Sequence, residues 1–191
     1  MKRRLTILAI AIPAMVALIT SSVAAVAAQN EEITYEWLAC GGILEDGPSC
    51  PNTTFASNGD SIKITGAGEL TDGTNSASGG GTFVHKDADG NVVGDGTWVA
   101  TELLNFKTYG PSPETPADWR TGLARIRVDL MVGGVEVAEG ILSIGCRLPG
   151  VKLPPSLFEG VKLNIQDGLN FNKVQTEGGM PPGGVTLFIE Q

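Results

Sequence analysis

From Leu123 to Leu148 the chain alternates apolar and polar residues with a period of two, interrupted at Gly133-Gly134. Ala124, Ile126, Val128, Leu130 and Val132 fall on one face of an extended segment, and Arg125, Arg127 and Asp129 on the other. A half-buried strand demands this pattern, because successive side chains point to opposite faces of a sheet. Two glycines accept positive φ at both centre positions of a two-residue turn, so the segment reads as an antiparallel hairpin. The return strand puts Val135 and Val137 on the apolar face, yet Leu142, Ile144 and Cys146 must share that face. A one-residue shift is needed, and Glu139-Gly140 is the expected bulge.

The same logic extends along the chain. No segment after residue 28 keeps helical spacing for three turns without Gly or Pro. A second hairpin is expected to join Thr82–Lys86 to Val92–Thr101 through Asp87-Ala88-Asp89-Gly90-Asn91, residues that tolerate left-handed turns. Gly94 and Gly96 should bend its second strand. Further strands are expected at 61–65, 103–109, 161–165, 169–174 and 185–190, and the proline-bearing stretches 110–119 and 178–184 read as connecting loops. The fold class is therefore all-β, an antiparallel β-barrel of about nine strands, with a β-sandwich as the alternative. Paired glycines and a bulge supply the bends that closure needs, which favours the barrel.

The N-terminus carries a separate signal. Lys2, Arg3 and Arg4 precede an uncharged apolar run from Leu5 to Ile19, and Ala25-Val26-Ala27-Ala28 offers a small-residue cleavage site. That order is the one a secretory signal peptide requires; the alternative is an uncleaved anchor. The organisation expected is 1–28 signal peptide, 29–60 N-terminal arm with a disulfide loop, and 61–191 barrel domain. In an oxidising compartment Cys40 and Cys50, separated by a short loop rich in Gly, Pro, Asp and Ser, are expected to pair. Cys146 lies in phase with Leu142 and Ile144 and reads as a buried thiol. Asn52-Thr53-Thr54 is a glycosylation sequon beside the loop.

Charge narrows the possible partners. Against 13 Lys and Arg the chain carries 21 Asp and Glu, a formal charge of −8 that becomes −11 once the leader and its three bases are removed. Nucleic acid needs a basic footprint and anionic lipid needs clustered Lys and Arg, so neither is expected, and no membrane contact is expected after cleavage. The partner expected is another protein or a small apolar ligand.

Candidate chemistry is sparse. His85 is the sole histidine, and with Glu102 it forms the catalytic pair to consider if the interior does acid–base work. Asp87, Asp89, Asn91 and Asp95 resemble the opening of a calcium loop. Counting from Asp87, however, the sixth position is Val92 where Gly is required and the twelfth is Trp98 where Glu is required, so a plain turn is the better reading. Trp98, Tyr109 and Trp119 are candidates for stacking on a ligand, with Trp119 expected nearest the surface. No transition-metal spacing, nucleophile elbow or phosphate loop occurs, and no cofactor is expected.

Gly79-Gly80-Gly81-Thr82-Phe83-Val84-His85, Gly94-Asp95-Gly96-Thr97-Trp98, and the closing stretches Gly168–Lys173 and Gly184–Phe188 are similar to a group of uncharacterised secreted glycine-rich β proteins. The glycine-rich strand entry also resembles small barrels of the dirigent and allene oxide cyclase type. The first resemblance implies no activity and carries no catalytic residue across; the second implies a barrel. The leading expectation is a secreted, non-catalytic β domain with a binding or envelope-assembly role. The alternatives are a small ligand-binding barrel with isomerase or cyclase chemistry, and an extracellular structural or filament component.

Overall fold

A computed structural model describes residues 32–47, 49–174 and 184–191. The leader expected over 1–28 and most of the 178–184 loop lie outside these residues. Among the described residues the fold is all-β, with a short 3₁₀ turn at Gly42–Leu44 and no α-helix. Eleven strands form: β1 (Thr34–Ala39), β2 (Asn52–Phe55), β3 (Ser61–Thr71), β4 (Ala77–Lys86), β5 (Val92–Pro111), β6 (Trp119–Val132), β7 (Val135–Cys146), β8 (Gly160–Ile165), β9 (Asn170–Phe171), β10 (Lys173–Val174) and β11 (Thr186–Glu190). All the pairings are antiparallel, and one path of neighbours runs β10-β2-β3-β1-β11-β6-β7-β8-β9. Off this path, β4 pairs with β3 and β5, and β5 pairs with β4 and β6.

Two stretches of the 29–60 segment enter the sheet, as β1 and β2. β1 is hydrogen-bonded to β3 on one side and to β11 on the other. Tyr35, Trp37, Leu38 and Ala39 are all buried, with Trp37 at 0% exposure. Burying two large aromatics removes a substantial apolar area from water, so this short strand contributes more to the core than its length suggests.

The hairpin expected from the alternation forms, with one correction. Gly133 and Gly134 both take positive φ (58° and 81°), and Val132 pairs with Val135 across a two-residue turn. Ala124, Ile126, Val128 and Leu130 face the core. The register shift lies earlier than Glu139-Gly140: Leu130 pairs with Ala138 and Met131 with Glu136, which leaves Val137 as the extra residue. The phase of the apolar residues requires a shift but does not fix which residue supplies it.

β5 is one long strand where two were expected, and the shifts along it explain its broken pattern. Trp98, Ala100, Leu103 and Phe106 are its buried residues, spaced by two, three and three. Each step of three contains a register shift against β6, at Ala100/Glu102 and at Leu103/Asn105. A bulge adds one residue and returns the next side chain to the same face.

Aromatic side chains fill the centre. The Trp37 and Trp98 rings stack with centroids 5.5 Å apart, Tyr35 lies 4.8 Å from Phe106, and Phe106 lies 5.0 Å from Phe188. β3 turns Ile62, Ile64, Gly66, Gly68 and Leu70 inward, and its two glycines make room for the indoles. A Cβ on Gly68 would come within 2.6 Å of Trp37 Cζ2, and one on Gly66 would meet the Trp98 ring.

Candidate functional site

His85 lies near the end of β4, between Ile62 of β3 and Gly94 of β5. Its Nε2 is 2.9 Å from Asp60 Oδ2, and its ring meets Phe171 edge-on at 5.2 Å. The partner is therefore a carboxylate from the turn that opens β3, where Ala56 N–H donates to the Asp60 carbonyl at 2.8 Å. Sequence reasoning missed Asp60; its one signal was the Asn58-Gly59-Asp60 turn directly before a strand. Glu102 stands eight residues beyond Gly94 along β5, about 25 Å away at strand rise. It accepts a hydrogen bond from Arg127 Nε at 3.0 Å in a half-exposed ion pair. The fold does not bring His85 and Glu102 together.

In the 87–91 turn the Asp87 carboxylate bonds to the turn's own residues. Asp87 Oδ1 accepts the N–H groups of Asp89 (3.0 Å) and Asn91 (2.8 Å), and Oδ2 accepts Asn91 Nδ2 at 3.0 Å. The Asn91 side chain is the first cause holding the Asp87 carboxyl below its ordinary range. Asp95 sits on the exposed face of β5 opposite Val84. The acids that do converge are Asp129, Glu136 and Glu139, each offering an oxygen within 4.8 Å of the others. The β6–β7 hairpin brings them together across its two strands.

Three further expectations meet the packing. Asn52 of the sequon is 0% exposed, donating from Nδ2 to Val185 O at 3.4 Å with Gly184 against it, so the folded chain has no room for a glycan there. Trp98 is a core residue, its Nε1 donating to Thr65 O at 3.0 Å, and its ring is closed to a ligand by Trp37. Tyr109 is half-buried with Lys107 Nζ 5.2 Å from its ring, and Trp119 is half-buried in the wall of a surface recess.

That recess, about 260 Å³, also touches Arg147, Leu148, Glu159, Thr186 and Leu187. Glu159 Oε1 lies 2.9 Å from Thr186 N and 3.0 Å from Thr186 Oγ1, and Oε2 accepts the Arg147 N–H. Burial outweighs these bonds and pushes the carboxyl up to about 7. The Thr186 hydroxyl has one proton to share between Glu159 Oε1 and Gly145 O, the latter at 2.6 Å. No periodicity in Phe158-Glu159-Gly160 marks this residue in the sequence.

The cysteines divide as expected: Cys40 and Cys50 form a disulfide and Cys146 is a free, buried thiol. Burial first, and then Glu159, pushes the Cys146 thiol well above its ordinary range, which keeps it protonated and unreactive. A wider open depression of about 400 Å³ lies beside the disulfide on the outer face of β3 and β4, with Glu45 and Lys63 at its edge.

Of the eight large exposed apolar residues among those described, five lie at one end of the sheet, and the others are Ile43, Val99 and Leu104. Val132, Val135 and Val137 surround the β6–β7 turn, and Val92 and Val93 begin the neighbouring β5. Val135 reaches 66% exposure. No protein-family model, curated protein or solved structure matches this chain.

Proposed function

We propose that the chain is an exported, non-catalytic β domain with a binding or assembly role, and that its sheet closes into a small barrel with a filled centre. Closure is supported by the pairings: β4 and β5 join β3 to β6 on one side, while β1 and β11 join the same two strands on the other. Export is supported by the basic, apolar leader and by the Cys40–Cys50 bond, since disulfides persist in oxidising compartments. The observation that carries the functional reading is the contrast between chemistry and contact surface. His85 is bonded to Asp60, Glu102 is paired with Arg127, Cys146 is sealed and the centre is packed with aromatics. The valines at the β5–β7 end, by contrast, face water. An apolar patch on an otherwise acidic surface is a mark of interaction.

Titration of the purified protein with an apolar fluorescent probe, followed by tryptophan emission, tests this reading. No saturable one-to-one uptake and unchanged emission from Trp37 and Trp98 are expected. Stoichiometric uptake that Trp98→Phe alters would overturn the reading in favour of a ligand-holding barrel.

A further inference from the structure

We infer that the outer edge of β7 over Val135–Ala138 receives an extended, basic segment of a partner protein as an added strand. This rests on the binding role proposed above and names its partner class. The edge exists because β8 is shorter than the strand beside it. β8 pairs with β7 from Gly145 back to Gly140, and Gln166 N–H then donates to Glu139 O at 2.9 Å. Asp167 takes φ 55° and the chain turns away. On the other side β6 stays paired with β7 to the Val132–Val135 rung. Among the described residues, four positions of β7, about 13 Å of strand, therefore have no neighbour on their outer side. Free N–H and C=O groups on such an edge are a template for strand addition.

The side chains there select the partner. Val132, Val135 and Val137 supply apolar contact, continued by Val92 and Val93. Asp129, Glu136 and Glu139 crowd three carboxylates together, and the neighbouring cation, Arg127, already has its Nε on Glu102. A second copy of this acidic chain would set like charges across the new pair, which destabilises it, and the bulge at Val137 further discourages edge-to-edge pairing of identical chains. A strand alternating Lys or Arg with apolar residues relieves the crowding and covers the valines.

The test uses the protein after leader removal and a short synthetic peptide alternating lysine and valine, with a glutamate-for-lysine version as control. The lysine peptide should bind saturably, perturb the amides of Val135–Glu139 and weaken with salt. The control should bind at least tenfold more weakly, as should the lysine peptide to the double variant Glu136→Lys, Glu139→Lys. Val137→Pro should also abolish binding, provided that Trp37–Trp98 emission remains native. Equal binding of both peptides, or of neither, overturns the inference. So does saturation by calcium alone, or a dimer that Val137→Pro dissociates; the dimer would nevertheless leave the assembly reading standing. Peptide binding whose signature falls in the tryptophan core would defeat both.

Discussion

Trp37 and Val135 both sit in alternating strand sequence, yet one is completely buried and the other is two-thirds exposed. Around Trp37 the chain supplies strands on both sides and glycines underneath: β3 and β11 flank β1, and Gly68 opens space for the ring. Around Val135 it supplies one neighbour, because β8 ends at the level of Gly140. Alternation sets which way a side chain points. Whether anything covers it depends on the lengths of the neighbouring strands, which are set elsewhere in the chain.

Substitutions in the two regions should differ widely in cost. Trp37→Ala should lower unfolding stability by about 3–5 kcal/mol through lost burial and a cavity, while Val135→Thr should stay within about 0.5 kcal/mol. Urea unfolding of the two variants measures the difference. If the two costs were similar, the tip would be packed in solution and the distinction between the regions would fail.

A smaller effect should come from Glu159, the half-buried acid that ties the end of β7 to β11. Its folded value of about 7 exceeds the ordinary 4.5, so between these values the folded chain holds a proton that the unfolded chain has lost. Stability should therefore fall as pH rises from about 4.5 to about 7, by about 1–3 kcal/mol from this group. Glu159→Gln should flatten that part of the slope, as read from denaturation midpoints across the range. An unchanged slope would mean that the carboxylate is solvated and that this end of the sheet is as open as the valine tip.

Much of the fold was legible wherever local chemistry specified it. Gly133-Gly134 marked its turn through its φ freedom, and the Cys40–Cys50 pair was readable from spacing and compartment. The continuation of β3 and β4 through Gly66, Gly68 and Gly79–Gly81 was not, because glycine carries no side chain to alternate. Those glycines sit in strands because neighbouring backbone and indole rings approach too closely for a Cβ, a tertiary reason invisible to local patterning. β1 was missed because six residues after a presumed leader offer too short a period, although Tyr35 and Trp37 did alternate with Thr34 and Glu36. At the candidate sites, sequence singled out His85 but not Asp60, and Asn52 but not its burial beneath Gly184 and Val185. In each case the deciding partner is distant in sequence. The three acids of the hairpin were individually visible, but their convergence depends on the position of the bulge.

Residue-resolved hydrogen exchange across β7 distinguishes an open edge from a covered one. Slow exchange is expected from Gly140 to Gly145, where β6 and β8 enclose the strand, and fast exchange at the outward amides of Val135–Ala138. Equal protection along the whole strand would contradict this expectation, because the edge on which the proposed contact depends would already be covered.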